Sequence, residues 1–174
     1  MQETDYWEDA DPVLLQTYGL KFLKRAGWTR TSVREIESVG SHSWGVAWLA
    51  LLTCPDSLCL ERVLELALIH DLAEVIAGDI TPYDGIEASE KAERELTAFK
   101  KLTSDLPRAE HLLGLFGEYQ ECRTPEALFV HRCDKTDMKL QAEYYMRRQP
   151  ELDLSEFVES ARAYLQRNSP EKPL

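Results

Sequence analysis

Cysteine is scarce, and its spacing suggests no cluster: Cys54, Cys59, Cys122 and Cys133 are the four in 174 residues, and none forms a C-x-x-C pair. This argues against a zinc ribbon or a dithiol redox motif and suits free thiols in a reducing compartment. Long apolar runs are missing as well. The longest, 46–52, is far short of the roughly 20 residues that a membrane span needs. Positive charge is in deficit: Lys and Arg total 20 against 31 Asp and Glu, the formal net charge is −11, and no Lys/Arg cluster exceeds two residues. Such a surface is a poor grip for duplex nucleic acid or anionic membrane. The opening residues, Met-Gln-Glu-Thr-Asp-Tyr-Trp-Glu-Asp, contain no apolar h-region, so the expectation is a cytoplasmic protein without a signal peptide. A phosphorylated ligand would need a local offset to all this acid, and a metal ion would supply it.

What is present reads as helix after helix. Hydrophobic residues make up 44% and charged residues 29% of the chain, an ordinary balance for one packed domain. The spacing predicts an amphipathic helix over 13–24, a polar connector over 26–38, and a helix over 44–52 with Ser41 as its N-cap. The run 63–76 is apolar nearly all round and is expected to form the central buried helix, ended by Gly78. A turn at Pro82, Asp84 and Gly85 leads to helices over 89–101, 107–119, 125–148 and 157–165, the third opened by Pro125. A frayed tail holding Pro170 and Pro173 follows. No strand alternation, repeat or linker is visible. The expected architecture is all-α: a compact bundle of about six to eight helices in a single domain over 1–174, with its core at about 13–148 and a C-terminal helix and tail over 154–174.

Inside the apolar 63–76 run sit His70 and Asp71, which are costly to bury without partners. Glu74 follows four residues after His70, on the same helix face, and Asp79 lies just beyond Gly78. A buried ion-pair network would need a cation, and none lies between Arg62 and Asp79 in sequence. His42, beside the apolar face of the 44–52 helix, and Asp134, midway along the 125–148 helix, complete a set of two imidazoles and two carboxylates. That donor mix suits a divalent ion such as Mn²⁺, Fe²⁺, Co²⁺, Ni²⁺ or Zn²⁺, with positions left for water and substrate.

His42, His70-Asp71 and a lone Asp134 resemble the H…HD…D signature of the HD-domain metal-dependent phosphohydrolases. Three further stretches are similar to the 5′-deoxynucleotidase subgroup: Arg25-Ala26-Gly27-Trp28, Glu37-Ser38-Val39, and the segment 70–82, which carries H-D-x-x-E-x-x-x-G-D. The resemblance spans roughly 15–145. It implies an HD-domain bundle that holds one divalent ion (Co, Mn, Zn, Fe, Ni or Mg) through His42, His70, Asp71 and Asp134. It also implies that Glu74, with Asp71 nearby, manages the proton for an attacking water. Asp79 would contact the sugar and favour deoxyribose, and Trp28 and Arg25 would line the nucleotide pocket. The implied reaction is release of the 5′-phosphate from deoxynucleoside monophosphates by a homodimeric enzyme. One position departs from the pattern: relatives usually carry an acid directly before the first histidine, to orient it or to serve the pocket, whereas this chain has Ser41. The substrate range, including modified nucleotides, stays open at that point.

Several residues have plainer readings. His111 reads as a surface or core histidine. His131, three residues before Asp134, reads as core or as support for a ligand. Trp44 and Trp48 read as core, and Trp28 either as core or as a stacking platform for a base or sugar. Lys135 and Arg132 read as solvated, and Cys133 as packing. Other functions fit the same donors: a non-catalytic helical scaffold with a structural metal, an HD-type di-iron oxygenase, and hydrolysis of a nucleoside triphosphate or alarmone, for which the chain lacks the extra basic residues a polyphosphate asks for. The scaffold has no use for Glu74 and Asp79, and the oxygenase asks for more histidines than the two credible ligands here.

Overall fold

The computed structural model describes residues 12–169; the opening residues and the tail with Pro170 and Pro173 lie outside them. The chain forms α1 Pro12–Thr17, a 3₁₀ turn Tyr18–Lys21, α2 Ala26–Thr29, α3 Val39–Thr53, α4 Leu60–Ile69 and α5 Glu74–Ala77. After a 3₁₀ turn at Pro82–Asp84 come α6 Ala88–Thr103, α7 Ala109–Gln120, α8 Pro125–Arg148 and α9 Ser155–Arg167. Two of these segments, α2 and α5, are single turns of four residues. Among the described residues the only extended pairing is an isolated antiparallel bridge between Lys24 and Ser38. The expected all-α bundle is what the chain forms, and none of the described helices is long and apolar enough to cross a membrane.

The long helix α8 is the spine. It begins where Thr124 accepts a hydrogen bond from the Ala127 amide and Pro125 presets the first turn. It packs on α3, α4, α7 and α9. Around it lies an apolar core built from Val46 and Ala50 of α3, Val63, Leu66 and Ala67 of α4, and Phe99, Leu115, Phe116 and Val130. The Phe99 and Phe116 rings stack with centroids 4.1 Å apart. A smaller cluster, with Trp28, Val33, Ala142, Tyr145, Leu154 and Val158, closes the other end of α8.

Four local expectations need correction. The helix expected over 13–24 stops at Thr17, whose hydroxyl bonds back to the Leu14 carbonyl. The chain then tightens through Gly19, where a Cβ would meet Val75 Cγ2 at 2.8 Å, and Leu15, Tyr18 and Phe22 remain exposed. The N-cap of α3 is Ser38, not Ser41: Ser38 Oγ accepts from the Ser41 amide. Trp44 and Trp48 are not core but 69% and 47% exposed, stacked on each other on the outer face of α3, because Val39, Val46 and Ala50 already fill the inner face.

The fourth correction shapes the site. The run 63–76 is not one helix buried all round. Leu68 is 67% exposed, and the helix breaks between α4 and α5. The break runs on i→i−3 bonds, with the Leu72 amide on Ile69 O and the Glu74 amide on Asp71 O. Such tightening turns successive side chains away from the regular α-helical azimuth.

Candidate metal centre

The break after α4 brings His70, Asp71 and Glu74 to a wall that α3 and α8 face with His42 and Asp134. His42 Nε2 lies 3.3 Å from Asp134 Oδ1 and 3.6 Å from Asp71 Oδ2, and His70 Nε2 lies 3.3 Å from Asp71 Oδ2. His42, His70 and Asp71 offer ligand atoms that all lie within 4.8 Å of one another. Asp134 borders that trio, its second oxygen 3.0 Å from Lys135 Nζ. The structure thus gathers His42, His70 and Asp71 into one set of ligand atoms and places Asp134 at its edge, against His42.

Both imidazoles are held from behind. His42 Nδ1 meets Asp137 Oδ2 at 2.7 Å, and His70 Nδ1 meets the Ala67 carbonyl at 2.8 Å. With each Nδ1 turned backwards onto an acceptor, each Nε2 is the nitrogen left facing forwards, the one a metal ligand would use. Among the described residues the buried side-chain nitrogens and oxygens without a hydrogen-bond partner are His42 Nε2, His70 Nε2 and Glu74 Oε2. Two orphaned imidazole nitrogens beside Asp71, with the orphaned Glu74 oxygen on the same break of the chain, would be expensive in a purely structural cluster; a divalent cation with an attendant water fits them.

The charges point the same way. Asp71, Glu74, Asp79 and Asp134 converge, and among the described residues the one guanidinium that reaches them is Arg25, with Nη1 3.4 Å from Asp71 and 3.5 Å from Asp79. Burial disfavours the Arg25 charge, but Asp71 and Asp79 outweigh it and hold the group charged above even its ordinary range. Burial and Arg25 both favour a neutral His42, yet Asp134 and Asp137 lift it to about 9. Burial opposes ionisation of Asp71 and Asp134 too; His70 and Arg25 hold the first below the usual carboxylate range, and Lys135 and His42 hold the second well below it. Glu74 behaves oppositely. Burial, then Asp71 and Asp79, push its carboxyl well above the usual range, so it holds a proton more readily than an ordinary carboxyl.

Beside these groups opens a cavity of about 430 Å³ whose wall includes Arg25, Trp28, Asp79, Tyr83, Lys91 and Lys135, within the size range of small-molecule sites. Asp79 Oδ2 accepts from the Ala26 amide at 2.8 Å and thereby fixes the Arg25–Trp28 segment to the wall. Trp28 is only 2% exposed, with its indole N–H on Glu37 and Phe157 against its ring; it is a packed wall residue that also borders the cavity. His131 lines the cavity too, stacked 4.0 Å from Tyr119, with Nε2 at the Tyr119 carbonyl. His111 stands away from the site, paired with Glu65.

Sequence reading missed Asp137, Lys91 and Tyr119, and it quoted Glu37 as part of a motif without giving it a role. For Asp137 a signal existed: it follows Asp134 by three residues, so both share the α8 face that meets α3.

This bundle and donor set define an HD-domain protein: the HD-domain family model matches residues 18–172, and the chain belongs to that family. Among curated relatives, the mouse protein named 5′-deoxynucleotidase HDDC2 is 41% identical over 128 residues, covering 72% of this chain and 64% of its own. The fission yeast Schizosaccharomyces pombe protein named 5′-deoxynucleotidase hdd1 is 37% identical over 146 residues, covering 80% and 74%. Of solved structures, the PH0347 protein from Pyrococcus horikoshii OT3 superposes with a TM-score of 0.75 at 34% identity, covering 89% of this chain and 93% of that one. The chain spans just under two thirds of the mammalian relatives' length, 62–64%.

Proposed function

We propose that this chain is a metal-dependent phosphomonoesterase that releases the 5′-phosphate of deoxynucleoside monophosphates or close analogues. One observation carries the reading: two backward-anchored histidines turn unpartnered Nε2 atoms toward Asp71 and Asp134, next to the unpartnered Glu74 oxygen and an open cavity. The names of the relatives support the substrate class. His42, His70, Asp71 and Asp134 hold one divalent ion, with Mn, Co, Zn, Fe, Ni and Mg as candidates. When bound, the ion supplies Lewis acidity toward water and a phosphoryl oxygen. Glu74, protonated more readily than an ordinary carboxyl, keeps or returns the proton at its Oε2 as the nucleoside oxygen leaves, with Asp71 alongside. Arg25 places a fixed positive charge at the cavity wall, Asp79 positions the sugar, and Trp28 shapes the pocket as a packed wall. The scaffold alternative has no use for the Glu74 oxygen or for the cavity.

The whole chain acts as one HD domain in the cytoplasm, and it works as a homodimer. The outer face of α3, with Trp44, Trp48, Leu51 and Leu52 exposed together, supports association with a second copy.

The test is phosphate release from a panel of deoxy- and ribonucleoside monophosphates with Mn²⁺, Co²⁺ or Mg²⁺ added. Release from the deoxy members that stops on chelation is the expected result. A flat panel under every metal would overturn the reading in favour of a structural module.

A further inference from the structure

We infer that Asp137 is the positioning residue for His42, and that Gly45 exists to let it in. The inference rests on the metal-site reading above. His42 is the ligand with the weakest local support: no acid precedes it in sequence, and its own helix offers Nδ1 no acceptor. The acceptor comes from α8, where Asp137 Oδ2 sits 2.7 Å from His42 Nδ1. An imidazole bound this way has one tautomer and one ring orientation, and the carboxylate raises the basicity of the opposite nitrogen.

Gly45 supplies an independent observation. It lies three residues after His42, on the side of α3 that meets α8. A Cβ at this position would lie 2.0 Å from Asp137 Oδ1 and 2.9 Å from its Cγ. Any side chain there would expel the Asp137 carboxylate from its place against the helix. A glycine inside a helix is otherwise unfavourable by roughly 1 kcal/mol relative to alanine, and here the space it leaves is filled by the carboxylate that holds His42. One residue on each of two facing helices thus fixes the ligand.

A rival use of the same groups is a second cation site, because Glu37, His42 and Asp137 also bring ligand atoms within 4.8 Å of one another. Glu37 Oε1, however, already accepts from the Trp28 indole at 2.8 Å, and His42 Nδ1 already has its partner in Asp137. The positioning role leaves no donor unexplained.

The test measures Mn²⁺ affinity and stoichiometry by calorimetry on the full chain, together with the His42 tautomer by ¹⁵N NMR of the metal-free protein well above pH 9, where its imidazole is neutral. Circular dichroism confirms that each variant remains folded. Wild type should bind one Mn²⁺ and show His42 protonated at Nδ1. Asp137→Ala should weaken binding about 10- to 100-fold and release the tautomer. Asp137→Asn, which keeps a neutral acceptor, should lose less than 10-fold. Gly45→Ala should mimic Asp137→Ala, and the double variant should be no worse than Asp137→Ala alone, because both act through one contact. Binding by Asp137→Ala within twofold of wild type overturns the positioning role while leaving the metal site standing. Two Mn²⁺ per wild-type chain, one of them lost in Asp137→Ala, overturns it in favour of the second site. Absence of Mn²⁺ binding by wild type overturns the metal-site reading and this inference with it.

Discussion

Helix α3 carries two chemistries on one inner face. Toward its C-terminal end, Val46 and Ala50 are fully buried against Val63, Leu66 and Phe116, with no polar atom to satisfy. Toward its N-terminal end, His42 is equally buried, yet its Nε2 has no partner and faces Asp71 and Asp134. The same contrast repeats on α8, where Val130 is dry and Asp134 stands one turn later among charges. Burial alone therefore does not distinguish core from site in this molecule; the completeness of hydrogen bonding does. The apolar end holds its shape through dispersion and exclusion of water. The polar end is left incomplete, and in the proposed reading a cation completes it.

Four substitutions press on that contrast. The largest effect is expected at Glu74: Glu74→Gln should lower kcat by about 10²- to 10⁴-fold, the range for loss of a proton-transfer group. Mn²⁺ uptake by the variant should be unchanged in calorimetry, since Glu74 is not among the ligands. Leu66→Ala, in the dry core, should do the reverse. Chemical denaturation should show a loss of about 2–5 kcal/mol, with turnover per folded molecule close to wild type.

A smaller effect follows from pH. Glu74 titrates above its ordinary value in the folded chain, because burial and then Asp71 and Asp79 oppose its charge. A raised carboxyl contributes stability that is complete below the ordinary Glu value and is lost as pH rises through the raised one. Glu74→Gln cannot ionise, so in chelator it should melt above wild type at pH 8. About 2–4 °C is the shift that ~1 kcal/mol makes in a chain of this size, and the gap should shrink toward pH 5. Equal gaps at both pH values would show that Glu74 is not the group at work. The smallest stability change is expected on the outer face of α3. Trp44→Ser with Trp48→Ser should move unfolding by no more than about 0.5 kcal/mol per site, while sedimentation shifts from dimer to monomer.

Much of the site was legible in sequence because its residues violate the pattern around them. His70, Asp71 and Asp134 interrupt otherwise apolar helix faces, and the cost of burying them marks them out. Helix type was equally legible: the 3.6-residue period survives in α6 and α9, and Pro125 marks the start of α8, whose own periodicity is weak because helices pack on several of its sides. What stayed hidden depends on partners distant in the chain. Arg25 supplies the cation that no nearby residue offers the His70–Asp79 segment. The exposure of Trp44 and Trp48 is decided by which face of α3 the other helices fill, and residue type alone misreads it. The break at His70 was invisible because an apolar run carries no signal of a switch to i→i−3 bonding. Asp137 shares a helix face with Asp134, but only the facing of α3 and α8 joins it to Gly45 and gives the two a joint meaning.

The most direct test of the central claim is anomalous diffraction from crystals soaked in Mn²⁺. The account predicts one peak per chain, bonded by His42 Nε2, His70 Nε2, Asp71 and Asp134, with the Glu74 carboxylate beside it but unbonded. A peak seated instead between Glu37 and Asp137, or no peak within bonding distance of the two histidines, would contradict it.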